Sequence, residues 1–186
     1  ARTLKCLSGI IAPAIAAILT KTMEGDKIPA DWRLSNVAAI FKKGKRCDAA
    51  NYRPVSMESL ICKTGEKIIK NALLNHLTDG NMMNTTQHGF LPGRSTTTNL
   101  IEYLDAITSE IDQGNTVCAI YTDFSKCFDR IPHDLLLHKL SNRYNVKGHL
   151  LNWIKDWLSE RKQRVILNGE ESGFVDVTSG VIQGST

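Results

Sequence analysis

The stretch Val-Cys-Ala-Ile-Tyr-Thr-Asp-Phe-Ser-Lys-Cys-Phe-Asp, residues 117–129, decides how the rest of the chain is interpreted. Its first five residues are all apolar or aromatic, which predicts a β-strand covered on both faces. The strand runs directly into Asp123, so a carboxylate stands at the end of a rigid element, where catalytic groups are often found. Asp123 is therefore a candidate Mg²⁺ ligand, with a turn or helix cap as the structural alternative.

The hydrophobic periodicity elsewhere predicts a mixed α and β chain without internal repeats. Helices are predicted at residues 8–24, 58–78, 96–113, 133–143 and 148–159, and strands at residues 36–41, 117–124, 164–168 and 174–178. The apolar stripes of the helices are interpreted as core faces rather than as cofactor sites.

The composition is that of an ordinary globular protein, with 42% apolar and 23% charged residues among 186. It excludes collagen-like, coiled-coil and wholly disordered classes. The five cysteines have neither the spacing of a disulfide framework nor that of a zinc site, which favours a reducing compartment. We expect an intracellular protein, nuclear or cytoplasmic and not secreted. The apolar stretch at residues 7–19 is too short to span a bilayer, so no membrane partner is expected.

Basic residues are concentrated in one part of the sequence, the zone of residues 27–70. Ten lysines and arginines stand there against four acidic residues, whereas the whole chain has a net charge of +4. Such a basic zone favours a polyanionic partner, nucleic acid or a triphosphate, and a solvated basic surface is the plain alternative.

Three further segments contain glycines together with groups that can bind phosphate. Phe-Lys-Lys-Gly-Lys at 41–45, followed by Asn-Tyr-Arg-Pro-Val-Ser at 51–56, supplies cations and a glycine turn. Gln-His-Gly-Phe-Leu-Pro-Gly-Arg-Ser-Thr at 87–96 places an arginine and two hydroxyls at the start of a helix, an arrangement suited to phosphate oxygens. Ser-Gly-Val-Ile-Gln-Gly-Ser at 179–185 is another glycine-bracketed loop. Each segment is a weak indication by itself.

Taken in this order, and preceded by Ile-Pro-Ala-Asp-Trp at 28–32, the segments resemble the reverse-transcriptase domain of non-LTR retrotransposons, the jockey and CR1-like branch in particular. The resemblance implies an α+β fold, the fingers and partial palm of a right-hand polymerase, with an antiparallel palm sheet backed by helices. Residues 1–186 would be a partial reverse transcriptase domain. The fingers and an N-terminal extension would occupy about 1–115, and the front half of the palm about 116–186.

The activity implied by the resemblance is that of an RNA-directed DNA polymerase, which copies RNA into DNA by nucleotidyl transfer with two Mg²⁺ ions. The implied partners are an RNA template, a DNA primer and a deoxynucleoside triphosphate. Asp123 would be the first metal-binding, catalytic carboxylate, and the Phe124 backbone carbonyl would be a further oxygen ligand.

The resemblance also assigns cations. Lys42 and Arg53 resemble the pair that closes on the triphosphate, with Lys43 as the competing choice for Lys42. Arg94 and Lys45 are assigned to template phosphates, and for Arg94 a solvated surface position is an equal alternative.

Phe128 resembles the ring that lies under the incoming sugar and excludes a 2′-hydroxyl, with core packing as the alternative. Gln183 and Gly184 resemble the loop beside the nucleotide sugar and the templating base. Two residues depart from the family pattern, which usually has proline at the position of Ile182 and alanine at the position of Cys127.

The family's second metal-binding element, an aromatic-Ala-Asp-Asp hairpin, would follow the 179–185 loop by some tens of residues, beyond the sequence given. We therefore expect the 186 residues by themselves not to polymerise. Two other functions compete with the polymerase. One is a catalytically inert nucleic-acid-binding remnant of a decayed element. The other is an RNA-dependent RNA polymerase, which normally has a small or polar residue where this chain has Phe128. Intact candidate residues favour the reverse transcriptase.

Overall fold

The protein is represented by a computed structural model that describes residues 6–25, 27–124 and 126–182. The described residues form two compact units, one from the residues up to 76 together with those from 126 onward, and the other from residues 77–124. The helices are α1 Ser8–Glu24, α2 Leu60–Asp79, α3 Thr96–Asp112, α4 His133–Asn142 and α5 Gly148–Leu158. No helix among the described residues is both long and apolar enough to cross a membrane.

A mixed five-stranded sheet lies in the first unit. Its strands are β1 Leu34–Phe41, β2 Tyr52–Met57, β3 Lys162–Leu167, β4 Glu170–Glu171 and β5 Val175–Asp176. Strand β1 pairs antiparallel with β2 on one side and parallel with β3 on the other. Strand β3 also pairs antiparallel with the short strands β4 and β5. Residues far apart in the sequence therefore meet in neighbouring strands.

The hydrophobic core of the first unit includes the two buried tryptophans Trp32 and Trp153. Helix α2 approaches this core closely through Gly65, where an added Cβ would lie 2.8 Å from the Leu19 side chain. A larger residue would displace the end of the Leu19 side chain, so packing favours the small residue here in spite of its low helix propensity.

Arg33 joins the start of the sheet to the end of α5. Its buried guanidinium donates to the Asp156 carboxylate at 2.7 Å and to the Asp156 and Ser159 carbonyls at 3.0 and 2.8 Å. The Ile28 amide donates to the other Asp156 carboxylate oxygen at 2.8 Å. Partial burial opposes ionisation of this carboxyl, but these hydrogen bonds outweigh it and hold the pKa of Asp156 below its usual value.

The structure confirms all five predicted helices and three of the four predicted strands, which appear as β1, β3 and β5. The strand predicted at 117–124 is wrong, because this stretch pairs with no other strand among the described residues. Ile120 and Tyr121 are 84% and 80% exposed. The Tyr121 hydroxyl instead meets the Tyr103 hydroxyl of α3. An apolar run predicts an extended backbone, but it does not supply the neighbouring strand that a sheet needs.

Strand β2 is not among the predicted strands, and it contains Pro54, which lacks the N–H that a central strand requires. β2 lies at the edge of the sheet, paired only with β1, and edge strands tolerate proline. The mixed α and β architecture is confirmed. The division into fingers over about 1–115 and palm over about 116–186 stays a prediction.

Candidate functional site

The ribbon formed by β1 and β2 carries the predicted triphosphate cations. The Lys42 amide donates to the Asn51 carbonyl at 2.8 Å, which continues the ladder one residue beyond β1. Ile40 stands opposite Arg53 in this ladder. Because side chains alternate along a strand, Arg53 and Lys42 lie on the same face of the ribbon, and both are exposed. Lys43 falls off that face, so the geometry favours Lys42 as the partner of Arg53.

The loop that joins β1 to β2 is held in one conformation by local contacts. Gly44 has φ +87°, and a Cβ there would lie 2.6 Å from the side-chain amide nitrogen of Asn51. That nitrogen donates to the Lys45 carbonyl at 2.9 Å. The Arg46 guanidinium lies 4.9 Å from the centre of the Phe41 ring. The loop therefore presents the exposed Lys45 side chain from a fixed backbone.

Phe128 begins a single 3₁₀ turn, Phe128–Arg130, immediately before α4. The Val181 amide donates to the Phe128 carbonyl at 2.8 Å, and the Gly180 amide donates to the Ile131 carbonyl at 2.8 Å. The backbone of Phe128, whose ring is predicted to contact the sugar, is thus bonded to residues 180 and 181. These residues lead to Gln183 and Gly184, the loop that is also predicted to lie beside the sugar.

Gly180 makes this close approach possible. It has φ +86°, and a Cβ would lie 2.8 Å from the backbone of both Asp129 and Phe128. The neighbouring Ser179 hydroxyl donates to the Asp129 carbonyl at 3.1 Å. Any side chain at position 180 would therefore separate the two segments. Gln183 and Gly184 follow in the sequence and lie outside the described residues.

A cavity of about 380 Å³ lies between one face of the sheet and this pair of segments. Val37, Pro54 and Val165 line it from the sheet, and Asp129 and residues 176–182 line it from the other side. The Arg53 side chain alternates with Pro54 and so faces away from the cavity. The cavity therefore adjoins the Phe128–Arg130 turn, whereas Lys42 and Arg53, the predicted triphosphate cations, lie on the opposite face of the ribbon.

In the second unit, helix α3 begins with a complete capping box, in which Ser95 and Thr98 bond each other's amides. The buried His88 ring contacts the Thr98 hydroxyl at 2.9 Å and the Glu102 carboxylate at 2.6 Å. Arg94 donates to the Thr85 carbonyl at 2.6 Å and lies 4.0 Å from Glu102. Part of the charge of Arg94 is thus balanced within the chain, and its side chain is 36% exposed.

Asp123 and Phe124 lie in the second unit and are both exposed. Among the described residues the Asp123 carboxylate has no hydrogen-bond or ion-pair partner. A carboxylate and a backbone carbonyl are hard oxygen donors of the kind that Mg²⁺ binds, with water and phosphates as its further ligands. The donor chemistry at this position therefore fits the ion that the sequence predicted.

A buried polar cluster, which the sequence analysis did not single out, lies in the first unit. The ligand atoms of Glu58, Cys62 and Glu66 lie within 4.8 Å of one another. Arg161 forms a buried ion pair with one Glu58 oxygen, and the Trp157 indole donates to one Glu66 oxygen at 3.0 Å. The Oε2 atoms of both glutamates are buried without a hydrogen-bond partner. The spacing of four residues could have indicated the cluster, in which Cys62 and Glu66 share one face of α2 and Glu58 lies two residues before that helix.

Burial and the neighbouring charges set the ionisation of this cluster. Burial raises the pKa of Glu58 to about 7, the Glu66 carboxylate adds to the increase, and Arg161 opposes it. Burial, with the two carboxylates, also raises the pKa of the Cys62 thiol well above its usual value. Arg161 and Trp157 already bind one oxygen of each glutamate, so the cluster is tied into the core by its own contacts. A proton on Glu58 can be donated to Glu66, and we interpret the cluster as a structural carboxyl pair.

Comparison with known proteins identifies the family. The profile of the reverse transcriptase (RNA-dependent DNA polymerase) family matches residues 40–186. The chain is 27% identical over 184 residues to the probable RNA-directed DNA polymerase from transposon BS of Drosophila melanogaster. It is 26% identical over 185 residues to the RNA-directed DNA polymerase from mobile element jockey of the same organism. A third relative is the transposon TX1 uncharacterized 149 kDa protein of Xenopus laevis, 24% identical over 174 residues.

These alignments cover 98%, 99% and 94% of this chain, but only 20%, 20% and 13% of the three relatives. The chain therefore spans about a fifth of the length of the Drosophila proteins that it matches. The predicted resemblance to retrotransposon enzymes of the jockey type is confirmed by these matches. With more than half of its residues matched by the family profile, the chain belongs to the reverse transcriptase (RNA-dependent DNA polymerase) family.

Proposed function

We propose that this chain supplies the nucleotide-binding and part of the catalytic surface of an RNA-directed DNA polymerase that copies the RNA of a non-LTR retrotransposon into DNA. The observation that carries the proposal is the hydrogen-bonded contact between the Phe128–Arg130 turn and residues 179–181. The sequence assigned both Phe128 and the loop that follows residue 182 to the nucleotide sugar. Segments about 50 residues apart that serve one sugar have to be neighbours, and the contact of residues 179–181 with the turn supports this arrangement for the loop to which they lead.

In this proposal the ribbon of β1 and β2 belongs to the fingers and binds the triphosphate. Arg53 offers a planar fork of donors to phosphate oxygens, and Lys42 on the same face offers a mobile point charge. Lys45 and Arg94 contact the template backbone, where positive charge adds affinity without reading the base sequence.

Asp123, with the Phe124 carbonyl, is the part of this chain that would hold Mg²⁺ at the primer end. When bound, two such ions lower the pKa of the primer 3′-hydroxyl and stabilise the charge of the in-line displacement. Asp123 supplies one negative charge and hard oxygen atoms at an exposed position. Phe128 supplies no charge, and its ring limits the space beside the sugar, so that deoxynucleotides are preferred.

Primer extension on an RNA template, by the complete polymerase that contains these residues, tests the proposal. Asp123→Asn should abolish Mg²⁺-dependent extension, because the change removes charge and keeps the size of the side chain. Asp112→Asn, an exposed change in the same unit, is the matched control and should leave extension intact. Full activity of the Asp123→Asn protein would refute the mechanism.

The alternative of an inert remnant predicts a different result in the same assay. Such a protein would bind an RNA–DNA hybrid in a salt-dependent way but would add no nucleotides under any metal condition. The basic zone at residues 27–70 is compatible with both functions, so incorporation and not binding is the deciding measurement.

A further inference from the structure

His133 adds a side-chain hydrogen bond to the contact between the Phe128–Arg130 turn and residues 179–182, and the proposed function gives it no role. His133, the first residue of α4, bonds through Nε2 to the Gly180 carbonyl at 2.7 Å. Because a carbonyl oxygen can only accept, Nε2 carries the hydrogen in this bond. Gly180 is buried, so water cannot easily replace the histidine as a partner for its carbonyl.

Gly180 is thereby held from two directions. Its amide donates to the Ile131 carbonyl, and its own carbonyl accepts from His133. Ile131 and His133 both follow Phe128 within five residues. Residues 128–133 therefore supply all of these hydrogen-bond partners of Gly180 from one short stretch of chain. The next residue, Val181, donates to the Phe128 carbonyl and is joined to Gly180 by a planar peptide bond, which couples the positions of the two residues.

The glycine and the histidine meet different requirements of this contact. Gly180 allows the approach, because a Cβ would lie 2.8 Å from the backbone of Asp129. The absence of a side chain at position 180 lets the two backbones approach each other, but it does not fix the orientation of the Gly180 peptide. The His133 donor fixes the orientation of the Gly180 carbonyl, and with it the plane of the peptide bond that leads into Val181.

We propose that His133 is a positioning residue that sets the Phe128 backbone against residues 179–182 and thereby contributes to the selection of deoxyribonucleotides over ribonucleotides. The inference rests on the proposed function, in which Phe128 lies beside the sugar. His133 acts through the Gly180 carbonyl and does not itself contact the nucleotide.

Two substitutions of His133 isolate the donor. His133→Phe keeps an aromatic ring and removes the N–H, whereas His133→Gln restores an N–H at a similar reach. In the complete polymerase, His133→Phe should raise KM for deoxynucleotides and lower the preference for them over ribonucleotides. Each change should be roughly two- to tenfold, the factor that corresponds to one lost hydrogen bond, with kcat nearly unchanged. His133→Gln should recover most of the loss.

His138→Phe is the matched control. His138 lies on the same helix, is exposed, and bonds through Nε2 to the Asn142 side chain instead of the 179–182 segment. Nucleotide selection should be the same as in the unmodified enzyme. Phe128→Val provides the reference for strong loss of selection, because it removes the ring that is proposed to exclude the 2′-hydroxyl.

Amide hydrogen exchange supplies a readout that needs no activity. His133→Phe should speed exchange at Gly180 and Val181, and His133→Gln should leave it near the original rate. A folded His133→Phe protein with unchanged selection would overturn the inference. If exchange were nevertheless faster, His133 would have only a structural role. A His133→Gln protein that behaved like His133→Phe would overturn it as well, because the donor would not matter.

The outcome for the proposed function is separate. If the unmodified polymerase added no nucleotides, or if Asp123→Asn retained full extension, the proposed function would fail, and the selection role would fail with it. Exchange at Gly180 and Val181 would then still decide whether His133 holds this segment in place.

Discussion

Arg33 and Asp156 are 123 residues apart in the sequence, yet the guanidinium of one donates to the carboxylate of the other at 2.7 Å. The Arg33 side chain is only 8% exposed, and it also donates to the Asp156 and Ser159 carbonyls at the end of α5. The pair therefore fixes the end of a helix to the entrance of β1, and it does so from inside the protein, where an unpaired charge is costly.

Removing the buried cation should destabilise the first unit. We expect Arg33→Met to lower the free energy of unfolding by about 3 kcal/mol, because Asp156 and two carbonyls lose their donor. Arg143→Met, at an exposed position, should change it by roughly 0.5 kcal/mol or less. Urea denaturation followed by circular dichroism measures both, and equal midpoints for the two variants would contradict the role of the buried pair.

The carboxyl pair of Glu58 and Glu66 should make stability fall as the pH rises. Burial raises the pKa of Glu58 from 4.5 to about 7, so between these values the folded state holds a proton that the unfolded chain has released. This contribution should therefore decline by on the order of 2 kcal/mol from pH 4.5 to pH 7. Glu58→Gln should flatten this slope whatever its effect on overall stability, whereas the exposed Glu170→Gln should keep it. Chemical denaturation at several pH values is the test, and an unchanged slope in Glu58→Gln would count against the pair.

The shared face of the β1–β2 ribbon predicts unequal roles for the three candidate cations. Arg53→Ala and Lys42→Ala should each raise KM for the deoxynucleotide by roughly 10- to 100-fold, as expected for a charged hydrogen bond to phosphate. Lys43→Ala is the matched control, and its effect should be several-fold smaller because the residue lies off that face. Steady-state primer extension by the complete polymerase provides the values. A Lys43→Ala defect equal to that of Lys42→Ala would contradict the assignment.

Binding of an RNA–DNA hybrid should weaken as salt rises, because each neutralised phosphate releases condensed counterions. Lys45→Ala and Arg94→Ala should lower affinity to a similar extent for hybrids of different sequence and should each reduce the salt slope by about one. Lys155→Ala, exposed on α5 and outside the basic zone, should have little effect. Filter binding from about 50 to 200 mM salt measures this, and a salt-independent affinity would exclude the electrostatic contact.

The helices could be predicted because each has an apolar stripe long enough to distinguish it from a strand. The failure at residues 117–124 has the opposite cause, since the apolar run contains no information about which backbone would pair with it. Strand β2 contains Pro54, and proline fits a strand at the edge of a sheet, a position that the local sequence does not reveal. The relation of His133 to Gly180 joins positions 47 residues apart, and no local pattern in the sequence predicts it.

Among the proposed functional residues, the chemistry was easier to predict than the geometry. The motif alone suggested both Lys42 and Lys43, and only the register of β1 with β2 distinguishes them. Glu58, Cys62 and Glu66 have a helical spacing, but the sequence does not reveal that this face is buried against Arg161 and Trp157.

The parallel pairing of β1 with β3 has a consequence for synthesis of the protein on the ribosome. Leu34 pairs with Lys162, so one edge of β1 stays unpaired until β3 is synthesised, about 128 residues later. At roughly 5–20 residues per second, the nascent chain presents this unpaired edge for about 6–25 seconds. An open strand edge can pair with other chains, so during this interval the emerging polypeptide has an edge at which it can aggregate.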